Sequence, residues 1–299
     1  MSHWQLFSTS FGRMLHPTLW VYGLVIVLAG SAPAVVLLFN NQLLLNLRTA
    51  TLETMLTSFA SLLGVFVMLS VIGFVFATFG DAALIHLINK LELRERASVG
   101  MGLDAGEKIF QLLVVRLILI LPNILVVFLA FALMWGQVAR IDLTTRTNPL
   151  AGLFGGACGI LLIVFVVNLI TSALLVGAER AIVIEKLAIG KALGVSGQLF
   201  AAQLGDFIMI GLIFLGLSLL IGLIFSCVGQ PLLGFMFSTA SPTALRSGSL
   251  LTNPIMLLTI SIGLIGNILA TILVTSVWTL AYREWRADRL PAPPRDDFA

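Results

Sequence analysis

The chain has 299 residues, of which 59% are hydrophobic and only 10% charged, with a formal net charge of +3 and a mean hydropathy of +1.08. A soluble domain carries about 25% charged residues, so this composition excludes a water-soluble globule and predicts a polytopic membrane protein. The small basic excess contains no Lys/Arg block and no aromatic-basic interleaving, which argues against a nucleic-acid partner; such residues set orientation and meet anionic headgroups instead.

In chain order, SHWQLFSTSFGRML reads as an amphipathic lead-in. The apolar run from Leu19 to Ala29, followed by Ser31, Ala32, Pro33 and Ala34, imitates a cleaved signal peptide, but hydrophobicity resumes at VVLLF. The run is then long enough for an uncleaved first span. Five more spans follow, near Phe59–Ile88, Ile109–Trp135, Leu150–Ala178, Phe207–Val228 and Pro254–Ala281, after a first at Leu19–Phe39. Between the first two, NNQLLLNLRTATLETMLTSF predicts a short amphipathic helix, and after the fifth, the apolar PLLGFMF predicts a loop resting on the bilayer surface.

Alternate connections differ in charge. One set, with both ends of the chain, holds Arg13; Lys90, Arg94, Arg96 and Lys108; Arg180, Lys186 and Lys191; and Arg283, Arg286, Arg289 and Arg295. The other holds Arg48, Arg140, Arg146 and Arg246. Because basic connections are retained in the cytoplasm, both termini are predicted to be cytoplasmic. The expected organisation is one six-helix membrane domain over residues 1–289 and a Pro-rich, disordered cytoplasmic tail, PAPPRDDFA, at 290–299.

An internal repeat runs through the middle. Laying residues 79–110, FGDAALIHLINKLELRERASVGMGLDAGEKIF, over 169–200, LITSALLVGAERAIVIEKLAIGKALGVSGQLF, aligns six identities at a constant offset of 90. They are Ala83/Ala173, Leu84/Leu174, Glu95/Glu185, Gly100/Gly190, Leu103/Leu193 and Phe110/Phe200, while Lys90/Arg180 and Arg96/Lys186 keep their charge. Each unit, near 60–130 and 150–220, reads as a helix leaving the membrane, a short amphipathic cytoplasmic helix, and a second amphipathic stretch feeding the next span. Both enter from one side, so the repeat is parallel.

These same segments, with six spans covering nearly the whole chain, resemble the membrane domain of bacterial glycerophosphoryl diester phosphodiesterases and its stand-alone six-helix relatives. The resemblance implies a membrane module of the bacterial inner membrane. It carries no catalytic residue across, since the phosphodiesterase chemistry of that family sits in a separate soluble barrel with a metal-bound His and Glu cluster.

Asp81 is the sharpest candidate, because a carboxylate inside a span is costly and is usually paired or functional. It lies nine residues before Lys90, as Arg116 lies eight after Lys108, so antiparallel neighbours would bring Asp81 and Arg116 to one depth. Two readings stay open, a register-fixing ion pair and an ion or substrate site. Asp206, which replaces Arg116 in the second copy, fits a carboxylate at a helix N-terminus. His86 lies about 140° round the helix from Asp81 at 100° per residue, a poor partner for it but able to titrate.

Asn168, Thr171 and Asn267 read as interhelical hydrogen bonders. GLFGGACG places Gly152/Gly156 and Gly155/Gly159 at GxxxG spacing for close helix packing, within the chain or in a homodimer. Cys158 and Cys227 read as small buried hydrophobes. No HExxH, GxSxG or clustered metal ligand occurs, and His3, His16 and His86 are dispersed. The expectation is a non-enzymatic protein without cofactor or metal, which meets the lipid bilayer and another membrane protein or its own copy. Its role would be partner binding, lipid interaction or assembly of a membrane complex. The competing reading is a small-solute or ion transporter or permease subunit using Asp81, Arg116 and Asp206, with His86 nearby.

Overall fold

The computed structural model describes residues 3–39, 52–138, 149–239, 254–287 and 290. Every regular element among them is a helix: α1 (His3–Met14), α2 (Pro17–Phe39), α3 (Leu52–Glu92), α4 (Val99–Leu103), a 3₁₀ turn (Asp104–Lys108), α5 (Ile109–Val138), α6 (Pro149–Val183), α7 (Ile189–Ala202), α8 (Leu204–Thr239) and α9 (Pro254–Trp285). Four stretches are long and apolar enough to cross a membrane, Phe59–Glu92, Val99–Ala132, Gly159–Val183 and Ile260–Trp285. Two bent pairs raise the number to six if each is one span: α1 meets α2 at 91°, and α7 meets the first part of α8 at 85°.

Two elements differ from their sequence expectations. The PLLGFMF segment is helical and extends α8 to Thr239, past Val228 where a loop is expected. A proline inside a membrane helix is tolerated because neighbouring groups and local adjustments satisfy the freed carbonyl. The two segments that align in sequence also differ after their short helices. In the first, α4 runs through the 3₁₀ turn into α5 as one long stretch, whereas in the second the helix breaks at Gln203 (φ −117°, ψ 28°). The segment expected to form an amphipathic helix before the second span lies largely outside the described residues; α3 begins at Leu52.

The residues fall into two compact units, 1–107 with 208–299, and 108–207. In the first, α2 packs along α3, and α9 packs on α1, α2 and α3. Leu19 and Tyr22 of α2, Ala83, Leu84, Leu87 and Ile88 of α3, and Ile268 and Ile272 of α9 form one buried cluster. A second gathers Leu6 and Phe7 of α1 with Ile210, Leu273, Val277, Leu280 and Ala281. In the second unit, α5 packs on α6 and α6 on α7.

Burial is uneven along the helices. On α3 the stretch 82–88 is almost wholly buried, while Phe59, Leu63, Val67, Met68, Val71 and Phe76 are exposed. An apolar surface of that extent is not stable against water; lipid is the solvent it fits. Polar backbone groups raise no objection, since a helix bonds its own.

The α2–α3 contact is close because glycine permits it. A Cβ built on Gly73 would stand 2.4 Å from the Ala29 carbonyl oxygen, and one on Gly80 2.6 Å from Ile26 Cγ1 and 3.3 Å from the Tyr22 carbonyl oxygen. Spaced seven apart, the two glycines share one helical face over two turns. Small residues at such seams let helices approach where lipid provides no hydrophobic drive.

Candidate functional site

Each unit gathers polar side chains on packed helices. In the second, the Arg116 guanidinium on α5 donates through Nε to Glu179 Oε1 at 2.7 Å, with Nη2 2.5 Å from the same oxygen. Glu179 on α6 is 7% exposed and Arg180 beside it 3%. Arg180 Nη1 lies 3.8 Å from Glu179 Oε2 and donates to the Val176 carbonyl at 2.9 Å.

Farther along the same pair, Asn123 Nδ2 donates to Thr171 Oγ1 at 2.8 Å. From the ion pair to this bond α5 advances seven residues and α6 retreats eight. That is two turns on each antiparallel helix, or about 11 Å at 1.5 Å per residue. Two polar rungs therefore fix the α5–α6 register. Between the two levels along α6, α7 is tied to it by Ser196 Oγ, which donates to the Leu174 carbonyl at 2.6 Å. Gly177 leaves room for it, because a Cβ there would stand 2.4 Å from that oxygen.

In the first unit, Arg13 at the end of α1 pairs with Glu92, the last residue of α3, and Arg283 of α9 donates to Asn89 Oδ1. Arg13 lies outside the four straight spans. Burial, and then the nearby Arg283 charge, push its pKa down to about 10, so the guanidinium keeps its proton at neutral pH. Arg13 Nη1 is buried with no hydrogen-bond partner among the described residues. Beside it an open groove of about 380 Å³ is lined by Gly12, Arg13, Leu15, His16, Pro17 and Leu91.

The connection after α3 is also anchored. Arg94 takes a left-handed conformation (φ 56°), and the Glu95 and Arg94 amides bond back to the Lys90 and Leu91 carbonyls at 3.0 and 3.1 Å. This is the capping geometry usually given to glycine. After α6, Lys186 does likewise (φ 57°). Tyr22, 2% exposed, donates its hydroxyl to the Val99 carbonyl at 2.6 Å and packs on Gly102, where a Cβ would meet its ring at 2.4 Å. Tyr22→Phe is expected to lower stability by about 1 kcal/mol and to speed protease cleavage between residues 94 and 98, read by limited proteolysis in detergent.

Family models, curated proteins and solved structures yield no match to the chain.

The predicted residues distribute as follows. Arg116 has a carboxylate partner in its own unit, Glu179, which the sequence reading did not single out. Asp81 and His86 are half-buried on α3 in the first unit, so the expected Asp81–Arg116 pair joins residues of different units. Asp206 is half-buried in the first turn of α8. Of the neutral polar residues, Thr171 bonds across to α5, whereas Asn168 Oδ1 accepts from Ser172 Oγ and Asn267 Nδ2 donates to the Gly263 carbonyl, both within their own helices.

Gly152, Gly155 and Gly156 lie on α6, but their surroundings fall outside the described residues. A Cβ on Gly159 would meet nothing within 4 Å. Cys158 and Cys227 likewise lie on helices where the side chains fall outside the described residues. Among the described residues no three His, Cys, Asp or Glu side chains group as metal ligands.

The signal that could have found Glu179 is its place in ALLVGAERAIV, an acid inside an apolar run. It also aligns with Asn89 at the offset of 90. Each of the two accepts from an arginine on a neighbouring helix.

Proposed function

We propose that this chain is a non-enzymatic six-span protein of a bacterial inner membrane, with both termini in the cytoplasm, acting as a partner-binding and assembly module in contact with lipid. The observation that carries the reading is the pair of right-angle bends, 91° between α1 and α2 and 85° between α7 and α8. If α2 and α8 cross the bilayer, helices at right angles to them lie in its plane. Their polar residues then face headgroups, and apolar ones such as Trp4, 79% exposed, sit at the depth that tryptophan favours.

The parallel repeat is supported by matching parts in the two copies. Each has a long helix followed by a basic left-handed residue, Arg94 or Lys186, two positions away from the offset of 90, then a short extended link and a new helix starting at Val99 or Ile189, which keep that offset. Asn89 and Glu179 correspond as arginine acceptors. Kinship with the membrane domain of glycerophosphoryl diester phosphodiesterases belongs to the same reading and rests on the repeat segments.

The charged connections would be the working surface. Photo-crosslinking residues placed at Arg96 and Lys191 in intact membranes should each yield a discrete adduct with a second polypeptide, and the Lys191 adduct should be lost when 90–108 is replaced by a neutral linker that leaves insertion intact. No adduct, with unchanged behaviour of the linker variant, refutes the partner-binding role. Cysteines introduced at the same two sites should react with an impermeant maleimide in inverted vesicles and not in intact spheroplasts; the reverse pattern refutes the orientation.

A further inference from the structure

Hydroxyls on the long helices fold back on their own backbone: Ser70, Thr78, Ser261 and Thr279 each donate to the carbonyl four residues earlier, at 2.7, 2.7, 2.8 and 2.6 Å. The Asn267 amide does the same, and that of Asn123 reaches across to Thr171. Asn168 and Ser172 on α6 do neither. Both are exposed, and their side chains share one long contact, Ser172 Oγ to Asn168 Oδ1 at 3.4 Å. The N–H groups of the Asn168 amide have no partner among the described residues. The backbone carbonyl that Ser172 would reach, that of Asn168, already accepts from Thr171.

Depth makes this arrangement unfavourable in a lone chain. Asn168 stands 19 residues after Pro149 and 12 before Arg180, so about 28 and 18 Å of helix separate it from those residues. Where α6 crosses a bilayer, that depth is hydrocarbon, in which an unbonded amide is strongly disfavoured. The two polar groups also belong to an ordered stripe. Leu161, Phe165, Asn168 and Ser172 are all exposed and follow at steps of four, three and four, the spacing of a seam between packed helices. Helix α5 is seated on another side of α6, the one that carries Thr171.

Whatever covers the stripe has to supply donors and acceptors at one depth. Asn168 offers two donors and, with Ser172, vacant lone pairs, so the stripe complements itself. Every inserted copy of a chain has the same orientation, and a two-fold axis along the membrane normal brings each residue opposite its own counterpart. We infer that α6 pairs with α6 of a second copy, the two Asn168 amides bonding each other across the axis. A buried asparagine at such a seam fixes register and oligomeric state. This dimer rests on the reading of α6 as a span and not on the partner-binding role of the charged connections.

Asn168→Val removes the amide where the chain's own use of it is one 3.4 Å contact, so the melting temperature should hold. Copies labelled at the C-terminus with donor or acceptor would be mixed in liposomes over a range of protein-to-lipid ratios, and dimer dissociation read from energy transfer. Wild type should show transfer that falls as lipid is added. Asn168→Val should raise the dissociation constant about tenfold, as expected for two interhelical hydrogen bonds. An unchanged constant overturns the assignment.

Crosslinking locates the face. With Cys158 and Cys227 replaced by alanine, oxidation in membranes should join copies of Phe165→Cys and spare Ile163→Cys, an exposed position about 160° round the helix and on the side of Gly152, Gly156 and Gly159. Joining through position 163 instead of 165 gives the dimer to that glycine face and overturns the seam. No transfer between copies, with a different polypeptide retained in equal amount, overturns it in favour of a foreign span. The Arg96 adduct is scored separately on wild type: transfer without an adduct refutes only the partner-binding reading, and an adduct without transfer refutes only the dimer.

Discussion

Glu179→Leu is expected to lower the unfolding free energy of the second unit by about 3–5 kcal/mol, the usual cost of stranding a buried charge. The carboxylate bonds Arg116 and lies beside Arg180, and both its neighbours are largely buried. Removing it strips both guanidinium groups of a shared counter-charge in a medium of low polarity. Arg116→Met, which keeps the length of the side chain, should also destabilise, because Glu179 then keeps only the looser contact with Arg180.

The double variant should recover much of the loss, since Arg180 keeps its bond to the Val176 carbonyl and two apolar side chains of suitable length replace the pair. A coupling free energy of about 2 kcal/mol or more, read from unfolding in mixed detergent micelles, would establish the pair as a register device. Additive single losses would refute it. A transport role for Arg116 makes a different demand: the stable double variant should lose flux.

How far the sequence could lead is visible in Arg116 and its acceptor. Depth along a helix is legible from one chain, because a charge eight residues from Lys108 in an apolar run must sit near the end of that run. Which helix lies alongside is not legible. Asp81 and Glu179 both stand near the C-terminal ends of apolar runs, and no periodicity says which of them faces α5. Fold class came through because runs of about 20 apolar residues have one stable form in lipid.

The bend at α1–α2 was half legible: His16-Pro17 marks a break, but no residue type encodes an angle of 91°. The groove beside it depends on Leu91, which is 74 positions away from Pro17 in sequence. The repeat raised the same difficulty from the other side. Gly100 and Gly190 align, yet one copy runs on into a span and the other breaks at Gln203. Local backbone geometry decides that difference.

Glycine spacing leads to the second large effect. The GxxxG glycines lie on α6, three of them with surroundings outside the described residues, whereas a close described contact between helices uses Gly73 and Gly80, seven apart on α3. Gly73→Ala should lower stability by about 1–3 kcal/mol, the cost of overpacking, because its new methyl meets a backbone carbonyl, Ala29 O at 2.4 Å, which cannot rotate away. Gly80→Ala should cost less: its first obstacle is the Ile26 side chain, which has other rotamers. Gly64→Ala, with nothing within 4 Å of the new Cβ, should stabilise by up to about 1 kcal/mol through helix propensity.

That order of three tests the seam itself, since propensity alone would make all three changes stabilising. Separating α2 from α3 would also move Tyr22 away from Val99, so Gly73→Ala should raise protease cleavage at 94–98, and Gly64→Ala should not. If cleavage rose equally in both, the connection would be loosened by something other than the α2–α3 contact, and the hydroxyl of Tyr22 would lose its assigned place as the tie between span and connection.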